Sequence, residues 1–431
     1  MYIDAMAQDI CDCGGMILRK RILCIGICTV LMLGLTACGD GSGETVGLPL
    51  TGMAIDGYQD NTEQKADQET ENTSASAITG IPIPTDRPAE TGEAAGEAAE
   101  QEDVESVITG ESEENIVTIT ISAAGDCSLG NHQDQEYAYS FRQAYDQAED
   151  EGYFFQNVRD IFDNDDMTIV NFEGVLTFSE ERDESRTYNI KGDPEYARLL
   201  TAGNVEAVSF ANNHRQDYGT QGSNDTVAAL EAEGIIYAYD RNVGIYETPE
   251  GIRIGIVSVN EVAWGLGSEQ LIAEGIEKLK EAEAGLILVC CHWGIERENY
   301  PTENQQYLGR KSIDLGADLV IGHHPHVLQG VEEYNGKFII YSLANFCFGA
   351  NRNPVDKDTM IFQQTFTFVD GVRQEDQQVQ IIPCSVSSVK ERNNFQPTPA
   401  QGEEATRIIE RINTYSEGYG VEFAEDGTLV Q

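Results

Sequence analysis

An α/β fold is predicted for this 431-residue chain by three features of its sequence. Short apolar runs alternate with stretches of helical periodicity from about 117 onward, the order expected when strands are followed by covering helices. Two late runs, 360–368 and 377–383, lack a helix between them and form a candidate antiparallel hairpin closing one sheet. Five of the six histidines stand immediately after apolar runs, where open α/β sheets place their functional loops.

The elements follow in chain order. Arg19, Lys20 and Arg21 precede an apolar stretch, 22–35, that is too short to span a bilayer comfortably and has the layout of an export signal. It ends in Leu35-Thr36-Ala37-Cys38-Gly39, which resembles the bacterial lipobox, so Cys38 is the expected lipid anchor and 1–38 the signal. Met16, directly before the charged segment, is the expected true start. From 39 to 116 the chain carries 19 acidic residues against two basic ones and almost no aromatic residues. Such a stretch cannot bury enough apolar surface to offset its ordering entropy, and it reads as an acidic disordered tether.

The folded part is expected over 117–390, with a C-terminal helix and tail, 391–431, packing on it. Strands are expected at 117–123, 167–171, 207–211, 235–239, 252–259, 285–291, 318–321 and 338–342, and helices at 137–148, 195–200, 224–233, 268–282, 303–315 and 403–415. With 40% of residues apolar, a sizeable core is available. The formal net charge of −47 sets the chain against nucleic acid and anionic membrane surfaces as partners. Once the signal is removed and Cys38 lipidated, Cys127, Cys290, Cys291, Cys347 and Cys384 remain; an odd number without regular spacing is no disulfide framework, and these read as small buried residues.

Five strand ends carry metal-binding side chains: Asp126; Asn171 and Glu173; Asn212, Asn213 and His214; His292; and His323, His324 and His326. Carboxylate, imidazole and amide oxygen together suit one or two divalent ions such as Mn, Zn or Fe, and paired thiolates, the mark of a structural zinc knuckle, are lacking. Two ions bridged by a carboxylate can activate water, and a free histidine beside them can protonate a leaving group. A lone histidine after a strand is more often structural, but five in sequence outweigh that reading. His323 is the weakest, since neighbours along a strand point to opposite faces, leaving His324 and His326 to share a side. Cys127 is either a soft extra ligand or a packed thiol, and Trp293 either a pocket wall or core.

The order Asp126, Asn171-x-Glu173, Asn213-His214, His292 and His324-x-His326 resembles the calcineurin-like metallophosphoesterase pattern. Closer still is the CapA family of poly-γ-glutamate capsule synthesis proteins. Its blocks are matched by Gly125-Asp126, Asn171-Phe172-Glu173-Gly174, Ala211-Asn212-Asn213-His214 with Asp217, His292-Trp293-Gly294 with Glu296, Gly322-His323-His324-Pro325-His326 with Gln329, and Tyr341-Ser342-Leu343-Ala344-Asn345-Phe346. The resemblance covers roughly 117–348 and implies a four-layer α/β/β/α metallophosphatase-like sandwich.

It further implies that Asp126 and His326 hold one ion, that Asn213, His292 and His324 hold a second, that Glu173 bridges them, and that His214, oriented by Asp217, is the general acid. Asn171, Asn212, Ser342 and Asn345 take supporting or substrate roles, and Glu296, Tyr300 and Gln329 the substrate rim. The sequence departs from the phosphoesterase pattern at Ser128, where a ligand histidine is usual, so the first metal site loses a strong ligand and the centre can be mononuclear or a weakly occupied dinuclear one. An arginine usual in the first CapA block is replaced near Asn131, with His132 a candidate substitute. The function implied is the synthesis, release or anchoring of poly-γ-glutamate or a related cell-envelope polymer, by a protein lipid-anchored on the outer face of the cell membrane with membrane synthase subunits as partners. Repulsion between a polyanion and this acidic chain is eased because much of the charge lies in the tether and bound cations reverse the local sign. The rivals are a phosphoesterase acting on a small or lipid-linked substrate and a scaffold or transport subunit without activity.

Overall fold

The computed structural model describes residues 114–375 and 378–430. The expected signal at 1–38 with Met16 and Cys38, and nearly all of the acidic tether, lie outside the described residues.

The chain first lays down β1 (Ile116–Ser128), β2 (Met167–Phe172), β3 (Ala207–Ser209) and β4 (Ile236–Ala238). It then builds a second sheet from β5 (Gly244–Glu247), β6 (Arg253–Asn260), β7 (Leu286–His292), β8 (Leu319–His323), β9 (Val331–Tyr334) and β10 (Lys337–Ile340). It returns to the first sheet with β11 (Asn345–Phe348), β12 (Asp358–Val369), β13 (Val372–Arg373), β14 (Gln378–Ser385) and β15 (Thr398–Pro399). The first sheet runs β15-β14-β12-β1-β2-β3-β4, with β11 pairing β1 and β13 pairing β12; the second runs β9-β10-β8-β7-β6-β5. Within the first, β1 to β4 are mutually parallel and β12 and β14 form an antiparallel hairpin on the other side of β1. Within the second, β6, β7, β8 and β10 are parallel and the two edge strands antiparallel.

Side-chain alternation along the strands creates three cores. In β7, Leu286, Leu288 and Cys290 meet Ile119, Ile121 and Ile169 between the sheets, while Ile287, Val289 and Cys291 face outward. That outward face is covered by α4 (Ser268–Glu281) and α5 (Glu303–Leu315), through Leu271, Ile272, Ile276, Leu279, Leu308 and Ile313. The outer face of the first sheet is covered by α1 (Phe141–Gln147), α2 (Arg198–Ala202) and α3 (Gly219–Ala232), through Phe141, Leu199, Leu200 and Leu230. This is the four-layer α/β/β/α sandwich that the sequence predicts. The helix α6 (Glu403–Tyr415) adds Ile408, Ile409 and Ile412 to the inter-sheet core.

Local chemistry explains the firmest boundaries. In α5, the Thr302 hydroxyl accepts from the Gln305 amide and the Gln305 side chain answers to the Thr302 amide, while Gly316 at φ 118 closes the other end. Three helices differ from the expected spans; the one at 195–200 is divided into a 3-10 turn, Pro194–Ala197, and α2. The 137–148 helix shrinks to seven residues because Ser140 caps it and Tyr139 takes φ 63. By contrast α3 begins five residues earlier than expected, at Gly219, and includes Gly222, where an added Cβ would stand 2.7 Å from Tyr218 Cβ and 3.4 Å from Val175 Cγ2. Apolar periodicity is blind to that kind of burial. The short strands β5, β9 and β11 lie outside the expected spans. All five described cysteines are free and buried. Among the described residues no helix is long and apolar enough to cross a membrane.

Candidate metal centre

The carboxyl ends of β1, β2, β3, β7 and β8 converge where the two sheets meet. Simple alternation would turn Asp126 away, because Ile119, Ile121 and Ala123 already face the inter-sheet core. A bulge resets the phase: Ala123 pairs with Ile169 and Asp126 with Asn171, three steps against two, so Asp126 points to the same side as Asn171. Gly125 is required there, since a Cβ would stand 2.0 Å from the Ala344 carbonyl oxygen that accepts the Asp126 amide.

Asn171 is the hub of the first sheet's contribution. Its Nδ2 donates to Asp126 Oδ1 at 2.9 Å and to Glu173 Oε2 at 3.2 Å, and lies 3.4 Å from His292 Nδ1. Ser128, at the place where the phosphoesterase pattern has histidine, donates its hydroxyl to the Glu173 carbonyl at 2.6 Å. Asn212 donates to the Phe172 carbonyl at 2.7 Å and accepts the His214 amide at 3.1 Å, which pins the loop after β3. From that loop Asn213 Oδ1 reaches His292 Nε2 at 2.8 Å, and His214 Nδ1 meets Asp217 Oδ2 at 2.7 Å. The opposite ring nitrogen, Nε2 of His214, stands 3.8 Å from Glu173 Oε1. Asp217 is buried and also accepts the Ile190 amide at 2.7 Å, with Arg186 Nη1 at 3.4 Å.

The second sheet delivers the imidazoles. His292 and His323 are the last residues of paired strands. His324 and His326 follow at φ 96 and φ 57, left-handed conformations that cost on the order of 1–3 kcal/mol each and persist only where the surroundings enforce them. His326 Nδ1 lies 2.9 Å from Asp126 Oδ2 and its Nε2 3.5 Å from Glu173 Oε1, while the His292 and His324 ring centres are 4.6 Å apart. His323, expected to turn away from its neighbours, also reaches the cluster, with Nδ1 3.3 Å from Asp126 Oδ1. The strand ends at His323, and the chain reversal at His324 removes the alternation on which that expectation rested.

Charge is strongly perturbed here. Burial would raise Asp126, but hydrogen bonds and charge from His323 and His326 overcome it and hold the carboxyl well below its usual range. Glu173 is pushed up to about 7 by burial, with His326 opposing. Burial would lower His326, yet Glu173 and Asp126 carry it up to about 9. Burial, with His326 adding to it, pushes His324 down to about 4, and burial with His324 drives His292 well below its usual value.

These residues fit a divalent cation. Glu173 Oε1 and His324 Nδ1 are buried without hydrogen-bond partners, the state of donors reserved for an ion. Two groups place one ligand atom per residue within 4.8 Å of the others: Asp126, Glu173 and His292, all buried, and Glu296, His324 and His326, nearer the surface. The grouping differs from the one carried over from the family pattern. Glu173 joins Asp126 and His292, and Glu296, read from sequence as substrate rim, stands with the two loop histidines. Its spacing from any other ligand gave no sign of this, because the loop after β7 folds back across the loop after β8, with the Arg297 amide donating to the Pro325 carbonyl at 2.8 Å.

The remaining candidates are dispersed. Asn345 is buried, donates to the His326 carbonyl at 3.4 Å and lines the cavity at the site. Ser342 caps the Ala344 amide at 3.2 Å. Gln329 is fully buried between Gln305 and the Glu298 carbonyl, in the support of α5 and away from the cluster. Trp293 is core, its indole donating to the Tyr341 carbonyl at 2.8 Å. Tyr300 packs edge-on against Tyr415. His132 lies on the wall of the adjoining cavity, its ring 4.7 Å from that of Tyr188. Arg186, which sequence reasoning missed, grips both the Asn213 carbonyl and Asp217; an isolated arginine in a polar loop carries no signal.

Residues 120–350 match the family described as bacterial capsule synthesis protein PGA_cap. The chain is similar to the PGA biosynthesis protein CapA of Bacillus subtilis (strain 168), 34% identical over 45% of this chain and 56% of that protein. It is also similar to the capsule biosynthesis protein CapA of Bacillus anthracis, 27% identical over 53% of this chain and 60% of that protein. The chain thus spans somewhat more than half the length of these relatives. A hypothetical protein from Thermus thermophilus superposes with a TM-score of 0.38 at 16% identity, over 62% of this chain and 98% of that one, a likeness too slight to build on. With its model matched across more than half of the chain, the family is settled: the protein belongs to the bacterial capsule synthesis proteins of the PGA_cap type.

Proposed function

We propose that the protein acts in the synthesis, release or anchoring of poly-γ-glutamate or a related cell-envelope polymer, through a metal-dependent hydrolase or transferase site. One observation carries this reading: six carboxylate and imidazole side chains from both sheets converge in two three-residue groups beside the His214–Asp217 pair. Asp126, Glu173 and His292 would hold one divalent ion and Glu296, His324 and His326 a second, with Asn213 beside His292. When bound, such ions polarise an acyl or phosphoryl oxygen and lower the pKa of water.

The chain's own residues supply the rest. Asp217 accepts from His214 Nδ1, which fixes the ring and leaves Nε2 directed toward Glu173 and able to deliver a proton to a departing group. Arg186 and the Ile190 amide hold Asp217 in place. Asn171 keeps Asp126 and Glu173 aligned, as ligands need hydrogen-bonded orientation. The names of the curated relatives supply the polymer, and the sequence around Cys38 supplies an anchor on the outer face of the membrane. Metal analysis of the purified chain tests the centre: Asp126→Ala and His324→Ala should each lose metal, and unchanged content in both would end the proposal. Labelling with a lipid precursor, lost in Cys38→Ala, tests the anchor.

Ser128 favours a second reading, a scaffold or transport subunit with a weakened centre, because its hydroxyl is spent on the Glu173 backbone. Capsule output that survives complete loss of metal would select it. Hydrolysis of an aryl phosphate that requires Mn and His214 would instead select a phosphoesterase.

A further inference from the structure

A cavity of about 620 Å³ opens directly from the candidate centre, with His214, His326 and Glu296 at its inner end. Phe348, Val327 and the exposed Val355 make part of its wall. Two polar features of this wall have no use in holding metal. Among the described residues, the exposed Arg297 is the one lysine or arginine lining the cavity and has no ion-pair partner; of the two acidic residues that share the lining, Asp356 is paired with Arg411 and Glu296 belongs to the outer donor group. Its backbone is held at φ 66 by the bond from its amide to the Pro325 carbonyl, so it is tied to the loop that carries His324 and His326. Asn345 is only 5% exposed; its Nδ2 is engaged by the His326 carbonyl, and its Oδ1 is buried without a partner. A buried amide oxygen left open costs stability unless some donor completes it.

Resting on the polymer reading above, we propose that this cavity is the binding subsite for an amide-linked, carboxylate-bearing chain, with Asn345 Oδ1 accepting an amide N–H and Arg297 pairing with a carboxylate. Both residues set specificity. The apolar wall accommodates the methylene segments between amides, and the unpaired guanidinium supplies local attraction for a polyanion on an otherwise acidic protein. A neutral chain meets Asn345 alone, whereas an anionic one meets both.

Binding of a short γ-linked glutamate oligomer and of its side-chain-amidated form to the metal-loaded full chain, by calorimetry, separates the contributions. Wild type should prefer the charged oligomer, and the preference should shrink as salt rises. Arg297→Gln, with metal content equal to wild type, should bind the charged oligomer roughly tenfold more weakly or worse and lose the preference, and Arg297→Lys should recover part of it. Asn345→Leu should weaken both oligomers alike; if that variant misfolds, the Arg297 pair still decides the matter. Charged-oligomer binding by Arg297→Gln equal to wild type would overturn the subsite while leaving the polymer reading intact. Failure of the metal-loaded wild type to bind either oligomer would overturn both.

Discussion

The two donor groups of the centre are built on different principles. Asp126, Glu173 and His292 are fully buried at strand ends, cross-linked by the Asn171 amide. Glu296, His324 and His326 stand on loops, one of them exposed and two held at positive φ. Strand ends are positioned by sheet pairing and a packed core, so the inner group is preorganised; the outer group depends on a strained loop and a side chain that water can reach. The inner group should therefore bind tightly and the outer one exchange readily.

The largest expected effect breaks the inner group. Asp126→Ala should remove its ion outright and abolish turnover, whereas Glu296→Ala should weaken only the outer ion; metal analysis across a chelator series separates them, and equal losses would erase the distinction. Next, His214→Ala should lower turnover by about 10²–10⁴-fold with metal content unchanged, measured by kinetics and elemental analysis on one preparation. Acidity should sharpen the contrast. An ion at the outer group must displace a proton from His326, carried up to about 9, while the inner group must ionise Glu173, pushed up to about 7. As pH falls from 9, outer occupancy should decline first and inner occupancy below about 7, while His324, at about 4, stays neutral throughout. Titrations in which both ions leave together would contradict this.

The smallest effect on the site comes from a region remote from it in role. Arg411 pairs with Asp356 at 2.5 Å and Asp358 at 2.6 Å and fastens α6 to the start of β12. Arg411→Ala should cost about 1–3 kcal/mol by thermal melting, below the full value of a buried pair because Arg407 still serves Asp358 and Arg411 is partly exposed. Metal content should not change. Burial would raise Asp358, but Arg407 and Arg411 hold its carboxyl below the usual range, so this stability is present above the unfolded carboxyl pKa of about 4 and is lost as pH falls through the folded value.

Much of the fold was legible because strands and helices declare themselves through apolar periodicity. The core strands, the hairpin of β12 and β14, and α4, α5 and α6 all carry long enough patterns. Edge strands such as β5 and β9 do not, since Gly244 and Glu247 in one and Glu332 and Glu333 in the other interrupt the apolar run. The site was legible as an inventory: Asp126, Glu173, His214, His292, His324 and His326 stand where strands end. What stayed hidden were partnerships. Arg186 shows nothing in sequence of its hold on Asp217, and Gln329 lies in a family-like block yet supports α5.

Local sequence by itself determined which residues form strands and helices, and hence that imidazoles and carboxylates would gather at strand ends, because periodicity and chain direction act over a few residues. The bulge that turns Asp126 inward, the left-handed loop that brings His324 and His326 to the side of His323, and the crossing of loops that sets Glu296 beside His324 arise only when two sheets pack. Each is a contact between segments far apart along the chain, where the energy of burial selects a local geometry that no short stretch prefers on its own.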